Sequence, residues 1–534
     1  VINLGRPNIL NNFMNVFKPK TFMKKPLLLF LTFFCTLGFS QNRIVLNTDL
    51  GETTINKHIY GHFSEHLGRC IYGGLYAGEE NEIVPHINGM RTDVVNALKD
   101  LNIPNLRWPG GCFADTYHWK DGIGPKESRP EIVNTWWGNV TEDNSFGSHE
   151  FMELCRQLNT EPYFSANVGS GSVQEMQEWV QYMNFTGKSP MSDLRATNGH
   201  PESFKVKYWG IGNETWGCGG NMTAEYYADI YKRYATYVNS SWDKNEKLFR
   251  IASGASDDDY HWTEVMMRDI PHKMLEGIGV HHYSVIDWAN KGSATEFDER
   301  MYFTTMSRAW DIERMIKGHA TIMDKYDPDK KVAMMVDEWG GWYNVEPGTN
   351  GGFLYQQNTM RDAMIAGMTL NIFNNHADRI QMANIAQVVN VLQAVILTDE
   401  ERIILTPTYH VMEMYKVHQD ATLIPMYLKT EDYQFDGKKL PAISASASKD
   451  AQGNVNVSIV NIDINKSHKI NLDLRGENFS SLSGKILKAN TVQEHNTFEN
   501  PKNITVKNYS GAALIDNKIS MDIPPFSVIV IKLN

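Results

Sequence analysis

Eight times between Ile59 and Ile385 a short β-rich run gives way to a longer stretch of helical periodicity. The runs are IYGHF (Ile59 to Phe63), NLRW (Asn105 to Trp108), PYFSANV (Pro162 to Val168), KYWGIG (Lys207 to Gly212), RIASGA (Arg250 to Ala255), GIGVHHY (Gly277 to Tyr283), VAMMVD (Val332 to Asp337) and RIQMANI (Arg379 to Ile385). Repeated βα units build a parallel sheet covered by helices, and eight of them suggest a closed TIM (β/α)8 barrel. The segments between carry helix signals of their own. In TDVVNALKDL, Val94, Val95, Leu98 and Leu101 lie on one helical face, and Ser172 and Glu175 of SVQEMQEWVQYM have the spacing of a capping box.

After a last helical stretch, Thr406 to Gln419, the texture changes to NVNVSIVNI, KINLDL and FSVIVIKLN, alternating runs separated by Gly, Asn and Asp. That pattern predicts an antiparallel β-sandwich. The fold class is therefore α/β, with a barrel over residues 59–420 and a sandwich over 421–534. The early run RIVLNTDL, inside a segment 41–58, is assigned to the sandwich. Without a linker of low complexity, the two domains are expected to pack closely.

The chain has 534 residues, 42% of them hydrophobic and 11% aromatic, ample for a large buried core. Its net charge is −11 and it has no basic stripe, which argues against a nucleic-acid partner. The first forty residues differ. MKKPLLLFLTFFCTLGFS, Met23 to Ser40, has the cationic start, apolar run and small-residue end of a secretory signal peptide, with Val1 to Phe22 lying upstream of the true start. Phe33 and Phe34 before Cys35 argue against lipid attachment, so cleavage is placed after Ser40. Residues 1–40 hold five cations and no acid, and their removal takes the charge from −11 to −16. This predicts an exported protein, periplasmic or secreted, with no membrane span once the signal is removed. Cys70, Cys112, Cys155 and Cys218 then remain, and three fully paired connectivities are open. No Cys/His spacing predicts a metal.

In a TIM barrel the active site forms where strands end. Here those ends hold Glu65; Arg107 and Cys112; Asn213 and Glu214; His281, His282 and Tyr283; Asp337, Glu338 and Trp342; Asn384 and Gln387. Glu214 and Glu338, from the fourth and seventh runs, form the carboxylate pair that glycoside hydrolysis needs, one protonated and the other ionised. Arg107 can hold Glu338 as an anion. Trp209 and Trp216 can raise Glu214 by excluding water, and Trp342 and Tyr283 offer flat faces to a sugar. A single Glu after a strand is more often a cap or ion-pair partner, and only the combination points to catalysis. His281 and His282 alternate faces, so at most one points inward, and as a packed histidine rather than a metal ligand. Cys112 reads as a small buried residue rather than a nucleophile. The Asn213 sequon follows a core strand and is set aside.

With IYGHFSEHLGRCIYGG, LRWPGGCFADTYHWKDGIGP, KYWGIGNETWGCGG and VDEWGGWY in this order, the chain resembles the α-L-arabinofuranosidases of glycoside hydrolase family 51 over nearly all of its mature length. The resemblance implies a retaining, exo-acting double displacement without a cofactor, with Glu214 as general acid/base and Glu338 as nucleophile. It implies that Glu65, Asn213, Tyr283 and Gln387 bind the furanose hydroxyls or the nucleophile. Arg107 and His281 would support the pair, and Trp342 would line the site. Cys112 stands where some members have Asn, a weaker partner for a ring hydroxyl. The implied substrates are arabinose-containing plant polysaccharides or oligosaccharides such as arabinoxylan and arabinan, and family likeness suggests a homo-oligomer. The alternatives are a glycosidase of other specificity on the same scaffold, an endoglucanase or β-xylosidase, and a carbohydrate-binding protein without turnover.

Overall fold

The computed structural model describes residues 42–243 and 246–534. The expected signal peptide and its cleavage point lie outside the described residues. Strand β1 (Asn42–Asn47) comes first. Eight strands then close a parallel barrel in chain order: β2 (Gly61–Phe63), β3 (Asn105–Trp108), β4 (Glu161–Ala166), β5 (Tyr208–Ile211), β6 (Phe249–Ser256), β7 (Gly277–Ser284), β8 (Ala333–Gly341) and β9 (Ile380–Ala386), with β9 pairing back onto β2. Each of the eight runs read from the sequence supplies one strand.

The layer outside the barrel is helical: α1 (Thr92–Leu101), α2 (Ser148–Leu158), α3 (Val173–Asn184), α4 (Pro190–Thr197), α5 (Ala224–Tyr237), α6 (Tyr260–Asp269), α7 (Glu299–Tyr326), α8 (Met360–Asn375) and α9 (Pro407–Tyr415). Helix α1 buries the predicted face, Val94, Val95, Leu98 and Leu101, and ends where Asn102 turns left-handed at φ 54°. At α3, Ser172 caps the backbone N–H of Glu175, but the Glu175 carboxylate reaches His118 Nδ1 at 2.9 Å instead of closing the box. Inside the barrel, Tyr163, Tyr208, Ile251, Ala333, Met335 and Met382 form an apolar plug beneath the strand ends.

Two larger sheets and a hairpin, Asp432–Phe435 with Lys438–Pro441, make up the strand-rich C-terminal part. One pairs β1 with Met426–Lys429 on one side and, in parallel, with His468–Arg475 on the other. The other centres on Ile443–Lys449, Val455–Asn461 and Ser527–Leu533, all antiparallel. The entry of β1 thus gives an otherwise antiparallel sheet one parallel pair. Helix α8 is buried along nearly its whole length between barrel and sheet. An element covered on every side needs apolar residues all round or paired polar ones. Its Asn371 meets Ser444 and Ser446 and its Asn374 meets Ser446, while a Cβ on Gly367 would stand 2.8 Å from Val460 Cγ2. Among the described residues no helix is long and apolar enough to cross a membrane.

Candidate active site

The strand ends above the apolar plug carry a charged, buried cluster. Arg107, at the end of β3, is 1% exposed and donates from Nη1 to Glu338 Oε1 at 2.8 Å and from Nη2 to Asn213 Oδ1 at 2.6 Å. Its guanidinium lies over the Phe63 ring, 4.5 Å from the centroid. Tyr283 donates to the second oxygen of Glu338 at 2.8 Å. Asp337 and Glu338 are consecutive on β8, yet both face this cluster. The pairing of β8 with β9 shifts register between Val336 and Trp339, and such a bulge re-aims side chains that a regular strand would send to opposite faces.

His281 lies between the acids. Its Nδ1 is 2.9 Å from Glu214 Oε1 and 3.6 Å from Glu338 Oε2, and its Nε2 is 3.4 Å from Asp337 Oδ1. Burial alone would lower its pKa, but Glu338 and Asp337 raise it to about 10, so it is an imidazolium at neutral pH. Asp337 also accepts from Tyr163 at 2.8 Å. Burial pushes Asp337 upward, and His281 and Arg107 outweigh that to hold its carboxyl below the usual range. His282 faces the other way, its ring bonded to Asp257 and to the Arg308 carbonyl.

Glu214 follows β5 with φ 41°, a left-handed backbone that a non-glycine residue adopts at a cost of order 1–3 kcal/mol. Gly212 makes that turn possible at φ 85°. Burial raises the Glu214 pKa, and the charge of Glu338 adds to it, against the lowering effect of His281 and Arg107. The two tryptophans expected to exclude water from it do other work. Trp209 stacks on Phe164 and meets Trp179 edge-on in the helix layer, and Trp216 donates to the Gly254 carbonyl.

Glu65 completes the floor. It accepts from Phe113 N, Trp137 Nε1 at 2.8 Å and Gln387 Nε2 at 2.9 Å. Gly110 and Gly111 leave it room, since a Cβ on either would stand 2.9 Å from its side chain. Burial and the Glu338 charge raise its pKa to about 7 against those three donors. The carbonyl oxygen of Gln387 is buried and unpartnered. Trp342 packs edge-on against Tyr283 at 5.1 Å and against the exposed Trp288 at 5.4 Å.

Cys112 is not the small buried residue expected. It is half-exposed and joined to Cys218 in a disulfide across the loops after β3 and β5, while Cys70 and Cys155 are buried and free. One bridge therefore replaces the two of a full pairing. Cys218 Sγ lies 3.6 Å from Glu214 Oε2. The ten residues given a site role from the sequence, Glu65, Arg107, Cys112, Asn213, Glu214, His281, Tyr283, Glu338, Trp342 and Gln387, are joined by these contacts at the strand ends, whereas Asn384 turns away to the His62 carbonyl and Asn105.

Three further residues shape the site without having been assigned a role from the sequence. Asp337 stood out only as polar at a strand end. Asp115 accepts from Val168 N, Gly169 N and Asn213 N and so ties three loops together, but nothing in its local sequence marks it. Trp137 arrives from the turn of a small hairpin, Ile132–Asn134 paired with Val140–Glu142, inserted between β3 and α2 and not part of the barrel.

Residues 97–300 match the family described as alpha-L-arabinofuranosidase 1 domain, and residues 337–527 match the alpha-L-arabinofuranosidase C-terminal domain. An intracellular exo-alpha-L-arabinofuranosidase of Bacteroides ovatus is 50% identical over 92% of this chain and 95% of its own. The crystal structure of the GH51 arabinofuranosidase from Xanthomonas axonopodis pv. citri superposes with a TM-score of 0.91 at 44% identity, covering 93% of this chain and all of that one. An arabinose complex of the Thermotoga maritima α-L-arabinofuranosidase gives 0.81 at 31% identity, over 92% and 99%. The name of the Bacteroides protein places that relative inside the cell, and this overturns the expectation of a periplasmic or secreted protein drawn from the N-terminal segment.

Proposed function

The chain belongs to the α-L-arabinofuranosidases of glycoside hydrolase family 51 and is an enzyme, and from that premise we propose that it releases terminal arabinofuranose with retention of anomeric configuration. The substrates in this reading are arabinoxylan, arabinan and the oligosaccharides derived from them. One observation carries it: side-chain oxygens of Glu214 and Glu338 lie within 4.8 Å of each other, with His281 Nδ1 2.9 Å from the first and 3.6 Å from the second. Retaining enzymes hold their two carboxyl groups about 5–5.5 Å apart and inverting ones about 6.5–9.5 Å, so this closeness favours a covalent intermediate over a water held between the acids.

In the first step Glu338 attacks the anomeric carbon while Glu214 protonates the departing oxygen. His281 occupies Oε1 of Glu214 as a donor, which leaves the acid's proton on Oε2, the oxygen free to reach the leaving group. In the second step Glu214, now ionised, takes a proton from water, and that water displaces the sugar from Glu338. Two donors on Glu338, from Arg107 and Tyr283, suit a carboxylate that alternates between free anion and ester. Glu65, Asn213 and Gln387 bind ring hydroxyls; the unpartnered Gln387 oxygen is an acceptor awaiting one. Trp342 takes the apolar sugar face. Cys112 has no thiol to offer a hydroxyl, and its place in the wall is that of a disulfide.

The same proposal assigns catalysis to residues 59–420 and bracing to 421–534 with 41–58, supported by α8 of the first segment packing Asn371 and Asn374 onto Ser444 and Ser446 of the second. The test is a panel of p-nitrophenyl glycosides with proton NMR of the first product. α-L-Arabinofuranoside should be the fastest substrate and α-arabinofuranose the first anomer seen. A faster rate on β-xyloside or cellulose would favour the alternative specificity, and first release of the β-anomer would remove the covalent step.

A further inference from the structure

The disulfide at the site has no part in the mechanism above, yet it stands against the acid. Cys112 and Cys218 sit 106 residues apart in sequence and join the loops that carry the glycine pair under Glu65 and the catalytic Glu214. A sulfur of each and a carboxylate oxygen of Glu214 all lie within 4.8 Å of one another, and all three residues are partly exposed. Two thiolates and one carboxylate with an open fourth side are a donor set that suits a soft, tetrahedral divalent ion.

We propose that the reduced form of the Cys112–Cys218 pair, together with Glu214, is an inhibitory binding site for zinc or a cation of like softness. The site opens with a dithiol as reductant. Its thiolate attacks one sulfur of the bridge to form a mixed disulfide, and its second sulfur closes on the first. The dithiol is oxidised to a cyclic disulfide, and two electrons and two protons pass to Cys112 and Cys218. Cation binding then releases the two thiol protons and the Glu214 proton. The bridge and the metal exclude each other, because sulfurs bonded to one another are not thiolate ligands.

The consequence for turnover rests on Glu214 being the acid, since a carboxylate bound to a cation cannot protonate a leaving group. A second set of donors, Glu214, His281 and Glu338, also lies within 4.8 Å, but His281 is held there as a cation between carboxylates and offers no lone pair. Dependence on thiols separates the two sets. Cys70 and Cys155 are buried beyond reach of an ion and stay in every variant as an internal control.

The full chain would be treated anaerobically with dithiothreitol, freed of it, and titrated with zinc and, separately, with cobalt. The reduced protein should bind one zinc per chain and lose activity about 100-fold; a chelator should restore it. Cobalt should give thiolate charge-transfer absorption. The oxidised protein and Cys112→Ser/Cys218→Ser, each compared with its own metal-free rate, should show neither effect. Glu214→Gln should keep the cobalt absorption with weaker binding, which covers the case of a double variant that folds badly. Equal inhibition of oxidised and reduced protein, absence of the thiolate absorption, or a bridge that dithiothreitol does not open in the folded chain would each overturn the site. Thiolate absorption without loss of turnover would uphold metal binding at the two cysteines and overturn the inhibition, and with it either the ligand role or the acid role of Glu214; cobalt affinity unchanged in Glu214→Gln would identify the ligand role as the one that fails.

Discussion

His281 reaches Glu214 Oε1 at 2.9 Å through Nδ1 and turns Nε2 toward Asp337. The Glu214 carboxyl is thus held by an imidazolium whose charge is sustained by Glu338 and by Asp337 on its far side. Arg107, Asp337, His281 and Glu338 form an alternating set of buried charges, where each charge is tolerated only because the next one is there.

Asp337→Asn removes the nearest anion behind His281. The His281 pKa should fall from about 10 toward neutrality, read by NMR of the ring protons across pH. The same variant should lower kcat about 10- to 100-fold with little change in KM, because Asp337 acts through the pair and not on substrate. An unmoved His281 titration would mean that Glu338 alone sets its charge.

Glu214→Gln addresses the other side of that hydrogen bond. Burial raises the Glu214 pKa, and in the proposed mechanism the protonated form is the active one, so the wild-type rate should fall as pH rises through that raised value. For a substrate with a good leaving group the variant should lose this alkaline limb. A limb that persists in Glu214→Gln would assign it to another group.

Arg107→Met leaves Glu338 and Asp337 buried without their shared cation, and takes a donor from Asn213. Loss of one partner of a buried pair costs about 3–5 kcal/mol, so the variant should melt well below the wild type. Its kcat should fall about 100- to 1000-fold, by analogy with removal of one donor from a charge-stabilising site. Thermal unfolding and steady-state kinetics on the same preparation would separate the two losses.

Much of this was legible because strand ends in a barrel announce themselves. Glu214 and Glu338 lie within two residues of the end of a β-rich run, and the eight-fold alternation says that such positions share one face of the barrel. What stayed hidden depends on contacts between loops. The Cys112–Cys218 pairing needs the spatial distance between two loops, which sequence spacing does not carry. Trp209 looked like a neighbour of the acid because it lies five residues before it, but alternation along β5 turns its ring to the helix layer. Asp337 was visible as a residue and not as a role, because a regular strand would have aimed it away from Glu338. The bulge that brings both inward has no signature in VAMMVDEW.

Glu65 and Asp115 are both buried carboxyls raised to about 7, against ordinary values of 4.5 and 3.8. Between those limits the folded state holds more protons than the unfolded chain, so stability falls as pH rises through the window and levels off above about 7. Each group contributes a loss of order 3 kcal/mol across it. Glu65→Gln and Asp115→Asn should each flatten the decline relative to wild type, measured by urea unfolding at several pH values. Parallel wild-type and variant curves would show that neither group titrates in that range.

The loop that presents Glu214 supplies a paired test of how tightly the acid is placed. A Cβ on Gly219 would stand 2.0 Å from the Asn213 carbonyl oxygen, whereas a Cβ on Gly217 would meet nothing nearer than the Glu214 carbonyl oxygen at 3.7 Å. The Asn213 carbonyl belongs to the peptide that leads into Glu214, and Asp115 holds the backbone N–H of Asn213 from the other side. Gly219→Ala must therefore displace the acid or the loop around it. A misplacement of about 1 Å can cost about 100-fold in rate, and a loss of that size in kcat is expected here. Gly217→Ala sits in the same turn with room to spare and should stay within about 0.5 kcal/mol of wild type in stability. Equal effects from the two alanines would mean that the turn tolerates movement and that the position of Glu214 is set elsewhere, by His281 alone.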